Sequence, residues 1–427
     1  MSQSINDHMG RPVVVVTGIG IVTSLGEGKE DNWKALIAGQ SGISKISRFP
    51  TEGLRTQIAG TIPWQGDGMF FPPAHSISLA KKSAVEAIEQ AGIGSRGSFP
   101  GSMFVAVYPA ETNWGQRMDV YNRADGGDSE GYERILKNVN KGDFREYYRM
   151  YQFGSIAEHL AAEFGPRGLP ISLTTACASG ATSIQLGVEA IRRGDTEAAL
   201  CIGTDAEICE EMVVRFTLLS ALSTQNDDPQ GASKPFSRTR DGFVMAEGSA
   251  TLVLESHESA KARGAKILGV VRGTGERADT FHRTRSKPDG SAIIDTITRS
   301  MADAGMAPEE IDYINAHGTS TPENDKMEFL ALSAALGDAL DGTPISSNKS
   351  MIGHTLSAAG TIEAAISLLT IEAGVIPPTI NCHEQDPNIL MDVVPNVKRE
   401  HVVNSVMSNS FGFGGQNVCL IFSSEPA

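Results

Sequence analysis

Ile171-Ser172-Leu173-Thr174-Thr175-Ala176-Cys177-Ala178-Ser179-Gly180-Ala181-Thr182-Ser183 carries the pattern that decides the architecture of this 427-residue chain. Residues 171–176 read as a strand that delivers Cys177 to a turn. Residues 179–193 then open a helix that is small on most faces, with Gly180, Ala181, Thr182, Ser183, Gly187 and Ala190. A helix of that kind fits a tight buried layer. The same order returns later. Residues 344–347 read as a strand, Lys349 and His354 follow, and Ser357-Ala358-Ala359-Gly360-Thr361 opens a second small-residue helix. Strand, reactive residue and small helix, met twice, predict two fused α/β halves. Their join falls near residues 255–268, giving an N-terminal half over 12–260 and a C-terminal half over 261–425.

Working outward, residues 12–20 read as a buried strand running into a glycine turn. Gly18 and Gly20 raise the idea of a dinucleotide loop. The third glycine position is Thr23 and no helix opens there, so the turn is the better reading. Residues 80–91 are an amphipathic helix. Further strands are predicted over 103–108, 198–203, 250–254, 311–314 and 418–422, and a charged helix ends at Gly264. Residues 115–150 are dense in both charges and predict a surface excursion with some helix. No low-complexity segment or Pro-rich linker separates the halves, so one body is expected.

Composition narrows the function classes. Lys and Arg number 36 against 51 Asp and Glu, a formal charge of −15. That balance argues against nucleic acid and against an anionic membrane surface as partners. The five cysteines (Cys177, Cys201, Cys209, Cys382, Cys419) are odd in number and scattered, which points to a reducing compartment and no structural metal. Residues 1–12 hold no secretory h-region, and no apolar run approaches the length of a membrane span. A soluble cytoplasmic protein without a metal centre is the expectation.

Cys177 is the chemically distinctive thiol. At a strand-to-helix turn it meets the positive end of the helix dipole, which lowers a thiol pKa and supplies donors for an oxyanion. The alternative is an inert buried cysteine, and for the other four that reading is preferred. His317 and His354 each sit at a strand end beside a glycine, where α/β folds place ligands. Two imidazoles near a thiol can move a proton or stabilise an oxyanion; each alone reads more readily as a structural histidine, and their occurrence together with Cys177 and Lys349 weakens that alternative. His8, His75, His159, His257 and His401 read as surface residues. Lys349 and Glu363 are either a surface pair or a buried one kept for function.

Four motifs in order then carry a resemblance: Thr175-Ala176-Cys177-Ala178-Ser179-Gly180, Asn315-Ala316-His317-Gly318-Thr319-Ser320-Thr321-Pro322, Asn348-Lys349-Ser350-Met351-Ile352-Gly353-His354, and Asn409-Ser410-Phe411-Gly412-Phe413-Gly414-Gly415. Together they closely resemble the elongating β-ketoacyl-[acyl-carrier-protein] synthases, and the synthase II branch in particular, over residues 13–422. The resemblance implies an α/β class with the thiolase fold, duplicated halves in five layers (αβαβα), as a homodimer. It implies an acyltransferase that condenses an acyl thioester with malonyl-[acyl-carrier-protein] to give 3-oxoacyl-[acyl-carrier-protein] and CO2. The partner would be the acyl carrier protein, and the only prosthetic group the phosphopantetheine arm that arrives with it.

The implied roles follow position by position. Cys177 resembles the acyl-bearing nucleophile; His317 and His354 resemble the pair that drives malonyl decarboxylation. Lys349 looks like their support, with Glu363 as its ion partner, and Asp325 looks like the family's structural acid. The backbone N–H groups of Cys177 and Phe413 resemble the oxyanion hole, and Phe413 also the gate over the acyl pocket. Thr319 and Thr321 look like the hydroxyls that meet the pantetheine arm. Departures are Ala178, Ile352 and Gln416, where other residues are usual, and the run Tyr108-Pro109-Ala110-Glu111-Thr112-Asn113-Trp114 in place of small residues. Gln225 replaces a base that often holds carrier protein; Arg272, Arg277, Arg283, Arg285 and Lys287 either supply that patch or form a solvated face. The alternatives are a condensing enzyme for unusual, very long or polyketide chains, and a chain-length-setting partner subunit, which Cys177 opposes. A degradative thiolase would need a second cysteine within 411–415, and a starter synthase an Asn in place of one His.

Overall fold

The computed structural model describes residues 6–95, 97–123, 129–142 and 144–424. Residues 1–5 of the polar N-terminal segment, 124–128 and 143 of the charged stretch, and the boundary residue 425 lie outside the described residues.

The first half runs β1 (Val14–Thr23), α1 (Pro72–Ala91), β2 (Ser102–Ala106), β3 (Ile171–Leu173), α2 (Ser179–Arg192), β4 (Ala198–Asp205) and β5 (Gly248–Ser256). The second runs β6 (Gly269–Ala278), α3 (Ser291–Ala304), β7 (Tyr313–Asn315), α4 (Pro322–Leu336), β8 (Ile345–Ser346), α5 (Ala359–Ala373), β9 (Ser405–Phe411) and β10 (Gln416–Ser423). Strand order is β3-β2-β4-β5-β1 in one half and β8-β7-β9-β10-β6 in the other. In each, the first three strands pair in parallel, and the fourth and fifth are each added antiparallel to the strand before. The halves therefore repeat strand for strand, and α2 corresponds to α5.

The repeat produces five layers. Helix α1 covers the outer face of the first half, and α3 with α4 the outer face of the second. Helices α2 and α5 pack on each other and on strands of both halves, so they form the middle layer. The two halves of the sheet are also joined edge to edge, because Val14–Val16 of β1 pair antiparallel with Gly269–Val271 of β6. The expected division at 260/261 falls inside the short helix His257–Ala262 that links the halves.

Burial on both faces explains the composition of β1, whose residues are all buried. Gly18 and Gly20 do not form the turn expected of them. They lie within β1, where a Cβ would stand 2.0 Å from the carbonyl oxygens of Ala87 and Ser83 in α1. Their purpose is close helix-to-sheet approach, which strand patterning alone does not reveal. The expectation of no span-length apolar run also needs correction. Leu356–Ala373 is an 18-residue helical stretch of mean hydropathy 1.3, and 83% of it is buried inside the protein. Being central to five layers, α5 is buried on every face over residues 359–370, its polar residues Thr361, Glu363, Ser367 and Thr370 included. The charged stretch does hold helices, at Trp114–Asn122, Gly131–Lys141 and Arg145–Met150, on the surface between β2 and β3.

Candidate active site

Duplication places the reactive groups. Cys177 lies between β3 and α2, and His354 lies between β8 and α5. The two helices meet at their N-terminal ends through Gly180 and Gly360. A Cβ on Gly180 would stand 2.6 Å from the Thr361 nitrogen, and one on Gly360 would stand 2.3 Å from that of Ala181. Only bare backbone permits this contact, and it draws Cys177 and His354 to one cavity. His317 enters the same cavity from the end of β7.

The thiol differs from its sequence reading in one respect. Cys177 sits ahead of a helix as expected, but burial pushes its pKa up to about 11, against the lowering influence of the Phe413 N–H and the Lys349 ammonium. Desolvation of the charged form outweighs both. The resting group is therefore a thiol.

The His317 and His354 rings stand 5.4 Å apart, edge to face. Burial, reinforced by the Lys349 charge, holds both well below the usual imidazole range, so both are neutral near pH 7. His354 Nδ1 accepts the Leu356 N–H at 3.3 Å, which leaves the proton on Nε2. Lys349 Nζ lies 3.4 Å from His317 Nδ1, which assigns the same tautomer there.

Beneath the pair, Lys349 donates to the His317 carbonyl at 2.7 Å and to Glu363 Oε1. Both side chains are buried, so the surface-pair alternative is excluded. Burial holds the Glu363 carboxyl up at about 7 despite the lysine. Glu328 was not picked out by sequence reasoning. Its two oxygens each accept an N–H at 2.8 Å, from His317 and Gly318, so it fixes the turn that carries the imidazole. Its one signal was the spacing three residues after Asp325, which puts both acids on one face of α4. Asp325 accepts the Phe236 N–H at 2.9 Å and faces Arg240 at 3.5 Å, fully buried. Asp205, also missed, accepts the Ser357 N–H at 3.1 Å behind the cavity.

The mouth is polar and its lid aromatic. Thr319 and Thr321 line it with hydroxyls 2.9 Å apart. Phe413 lies over Cys177 on a loop whose Gly414 and Gly415 have positive φ. The cavity measures about 70 Å³. Of the basic residues singled out, Arg283 and Arg285 line the rim. Arg277 pairs with Asp295, Lys287 with Asp289, and Arg272 donates to the Ala304 carbonyl. Gln225 accepts from Lys234 Nζ at 2.6 Å.

Other sequence candidates stay apart from the site. Cys201, Cys209, Cys382 and Cys419 are free and buried, and burial raises each thiol pKa. Cys209 does precede a helix, Glu210–Leu218, contrary to the expectation that only Cys177 has that setting. His75 and His257 are buried, not superficial. His75 reaches the Ile62 carbonyl at 3.2 Å and Glu247 at 3.6 Å. Among the described residues no group of three or more His, Cys, Asp or Glu side chains is placed to hold a metal ion.

Residues 11–260 match the family described as beta-ketoacyl synthase, N-terminal domain, and residues 268–383 match beta-ketoacyl synthase, C-terminal domain. The ketoacyl synthase alpha subunit of the tetracenomycin polyketide synthase of Streptomyces glaucescens is 38% identical, over 94% of this chain and 95% of its own. A 3-oxoacyl-[acyl-carrier-protein] synthase 2 of Coxiella burnetii is 37% identical, over 96% and 98%. Among solved structures, a type II polyketide ketosynthase bound to a hexaketide, in complex with its acyl-carrier protein, matches with a TM-score of 0.85 and 31% identity. That match covers 97% of this chain and all of the other.

Proposed function

The chain belongs to the β-ketoacyl synthase family, and from that premise we propose that it performs a decarboxylative Claisen condensation with Cys177 as the acyl carrier. The observation that carries the reading is a protonated, buried thiol sharing one cavity with two neutral imidazoles. The Cys177 sulfur attacks the acyl thioester of acyl-[acyl-carrier-protein]. As the tetrahedral adduct collapses, the thiol proton ends on the departing pantetheine sulfur, leaving an acyl-Cys177 thioester. Malonyl-[acyl-carrier-protein] then loses CO2, and the electron pair of the broken C–C bond becomes an enolate. The Nε2–H groups of His317 and His354 donate to the enolate oxygen. The enolate carbon attacks the acyl-Cys177 carbonyl, whose oxyanion meets the N–H groups of Cys177 and Phe413. Collapse expels the Cys177 thiolate, which takes up one proton, and releases 3-oxoacyl-[acyl-carrier-protein].

Lys349, Glu363 and Asp325 act as supports, Thr319 and Thr321 as contacts for the arm, and Phe413 as the gate over the acyl pocket. Strand β3 lies at the edge of the sheet with Ile171 47% exposed and Leu169 beside it 91% exposed. An unpaired apolar edge of that kind supports a dimer. Five free cysteines support a reducing, cytoplasmic setting. Likeness to the tetracenomycin subunit favours a second reading, extension of polyketide or other specialised chains within a heterodimer. Intact-protein mass spectrometry after incubation with acyl carrier proteins of graded chain length tests both. A single adduct on Cys177 supports the mechanism, and its chain preference separates the two readings. No adduct with any donor rejects acyl transfer by this chain alone.

A further inference from the structure

A basic loop stands at the rim of the Cys177 cavity, contributed by His282, Arg283, Thr284, Arg285 and Ser286. Both arginines are exposed. The bases flanking them are neutralised, since Arg277 and Arg299 share Asp295 and Lys287 pairs with Asp289. Among the described residues Arg283 and Arg285 have no ion-pair partner. Two acids line the cavity as well, Glu323 and Asp279, and both oxygens of Asp279 are taken up by amides of the loop.

The loop is held in place. Asp279 accepts the Phe281 N–H at 2.9 Å with one oxygen and the Lys287 N–H at 2.8 Å with the other, which closes the loop at both ends. The Gly414 N–H donates to the Arg283 carbonyl at 2.7 Å, and the Asp279 N–H donates to the Gly415 carbonyl at 2.7 Å. Two unneutralised guanidinium groups are thus carried by a fixed backbone at the mouth of a cavity with a thiol inside. The protein as a whole has a charge of −15, and against that background a basic pair at the cavity mouth gives a local field that favours an anion.

The proposed substrate carries one anion at the required place. Its thioester must reach Cys177, so the phosphodiester at the far end of the pantetheine arm remains at the rim. Guanidinium groups match phosphate oxygens through paired N–H donors, and do so better than lysine. We infer that Arg283 and Arg285 form the binding site for the pantetheine phosphodiester. This rests on the proposed function, in which a pantetheine thioester is the acyl donor.

The test compares two small donors, an acyl-pantetheine and the same acyl-phosphopantetheine, in the full-length protein. The readout is the ratio of their kcat/KM values for acylation of Cys177. In the unmodified protein the phosphorylated donor should be favoured roughly tenfold, the scale of a charge-assisted hydrogen bond at a part-exposed site. In the Arg283→Gln/Arg285→Gln protein the ratio should fall towards one, and Arg283→Lys/Arg285→Lys should restore it in part. Added salt should shrink the ratio in the unmodified protein. A ratio unaltered by the double substitution overturns the assignment, even if acylation by the carrier protein weakens; the arginines would then contact acidic side chains of the carrier. Absence of acylation by both donors in the unmodified protein would instead reject the proposed function itself.

Discussion

Lys349 holds His317 at two points, its Nζ donating to the His317 carbonyl oxygen at 2.7 Å and standing 3.4 Å from ring Nδ1, while Glu363 neutralises it from below. The ammonium keeps Nδ1 unprotonated and so directs the Nε2–H into the cavity. It is a positioning residue, and Lys349→Met should separate two half-reactions. Malonyl decarboxylation should fall by about 100-fold, the scale for losing a preorganised donor, while acyl transfer to Cys177 is less affected. Stability should also drop by about 3–5 kcal/mol, as when one partner of a buried pair is removed. Glu363 is already raised to about 7, so the native state holds its proton longer than the unfolded state, and stability from it is lost as pH rises through that value. Without the lysine the carboxyl titrates higher still. Melting temperatures between pH 7 and 9 should keep falling in the variant relative to the parent. A parallel pair of curves would show that Lys349 and Glu363 are not coupled.

The Cys177 thiol and the imidazole pair can be divided in a second way. Cys177→Ala should abolish condensation while leaving the melting transition in place. Cys177→Gln should retain CO2 release from malonyl-[acyl-carrier-protein] and lose acyl transfer, because decarboxylation uses the imidazoles and not the sulfur. Radiolabelled CO2 release and adduct mass measured on the same preparation decide this. Loss of both activities together in Cys177→Gln would place the thiol in the decarboxylation step.

The repeat of strand, reactive residue and small-residue helix was legible because close packing of α2 on α5 leaves a compositional mark, with glycine at 180 and again at 360. Order and type of the main strands followed from apolar runs. What escaped had a different cause. Strand β9 carries buried polar residues such as Asn409, and β6 carries half-buried Arg272 and Thr274 and ends exposed, so in both the apolar pattern on which strand reading depends is interrupted. Glu328 has no mark in the sequence beyond its spacing from Asp325, and only the third dimension sets it against the amides of His317 and Gly318. The pKa of Cys177 was misjudged because position in a helix is visible in sequence and burial is not.

Both active-site histidines are held neutral by burial, so the folded protein binds fewer protons than the unfolded chain below the ordinary histidine pKa. A depressed pKa contributes stability that is present above about pH 6.5 and lost as pH falls. Raised carboxyls at Asp205, Glu328 and Glu363 act in the opposite direction between about pH 4 and 7, so the total curve mixes the two. A difference measurement isolates the imidazoles. His317→Asn/His354→Asn should gain stability relative to the parent as pH drops from 7 to 5, by up to about 1.4 kcal/mol per pH unit for each histidine. Denaturant titrations at several pH values provide the comparison. A difference that does not change with pH would mean the imidazoles are not held neutral.

Gly415 ties the Phe413 loop to the strand opposite. Its φ is +86°, and a Cβ there would stand 1.9 Å from the carbonyl oxygen of Asp279, a backbone atom that cannot swing aside. Neighbouring Gly414 has nearly the same φ, +84°, but its nearest obstacle is the side-chain oxygen of Gln416 at 3.3 Å. Alanine at either position pays the left-handed backbone strain of about 1–2 kcal/mol. Only Gly415→Ala must also push apart the contact in which the Asp279 N–H donates to the Gly415 carbonyl at 2.7 Å. Gly414→Ala should therefore keep measurable Cys177 acylation with a modest fall in melting temperature. Gly415→Ala should lose most acylation, because the displaced loop no longer presents the Phe413 N–H to the sulfur. Acylation rates and thermal melts of the two variants, run side by side, separate strain from collision. Equal losses in both would mean that backbone strain alone governs the loop.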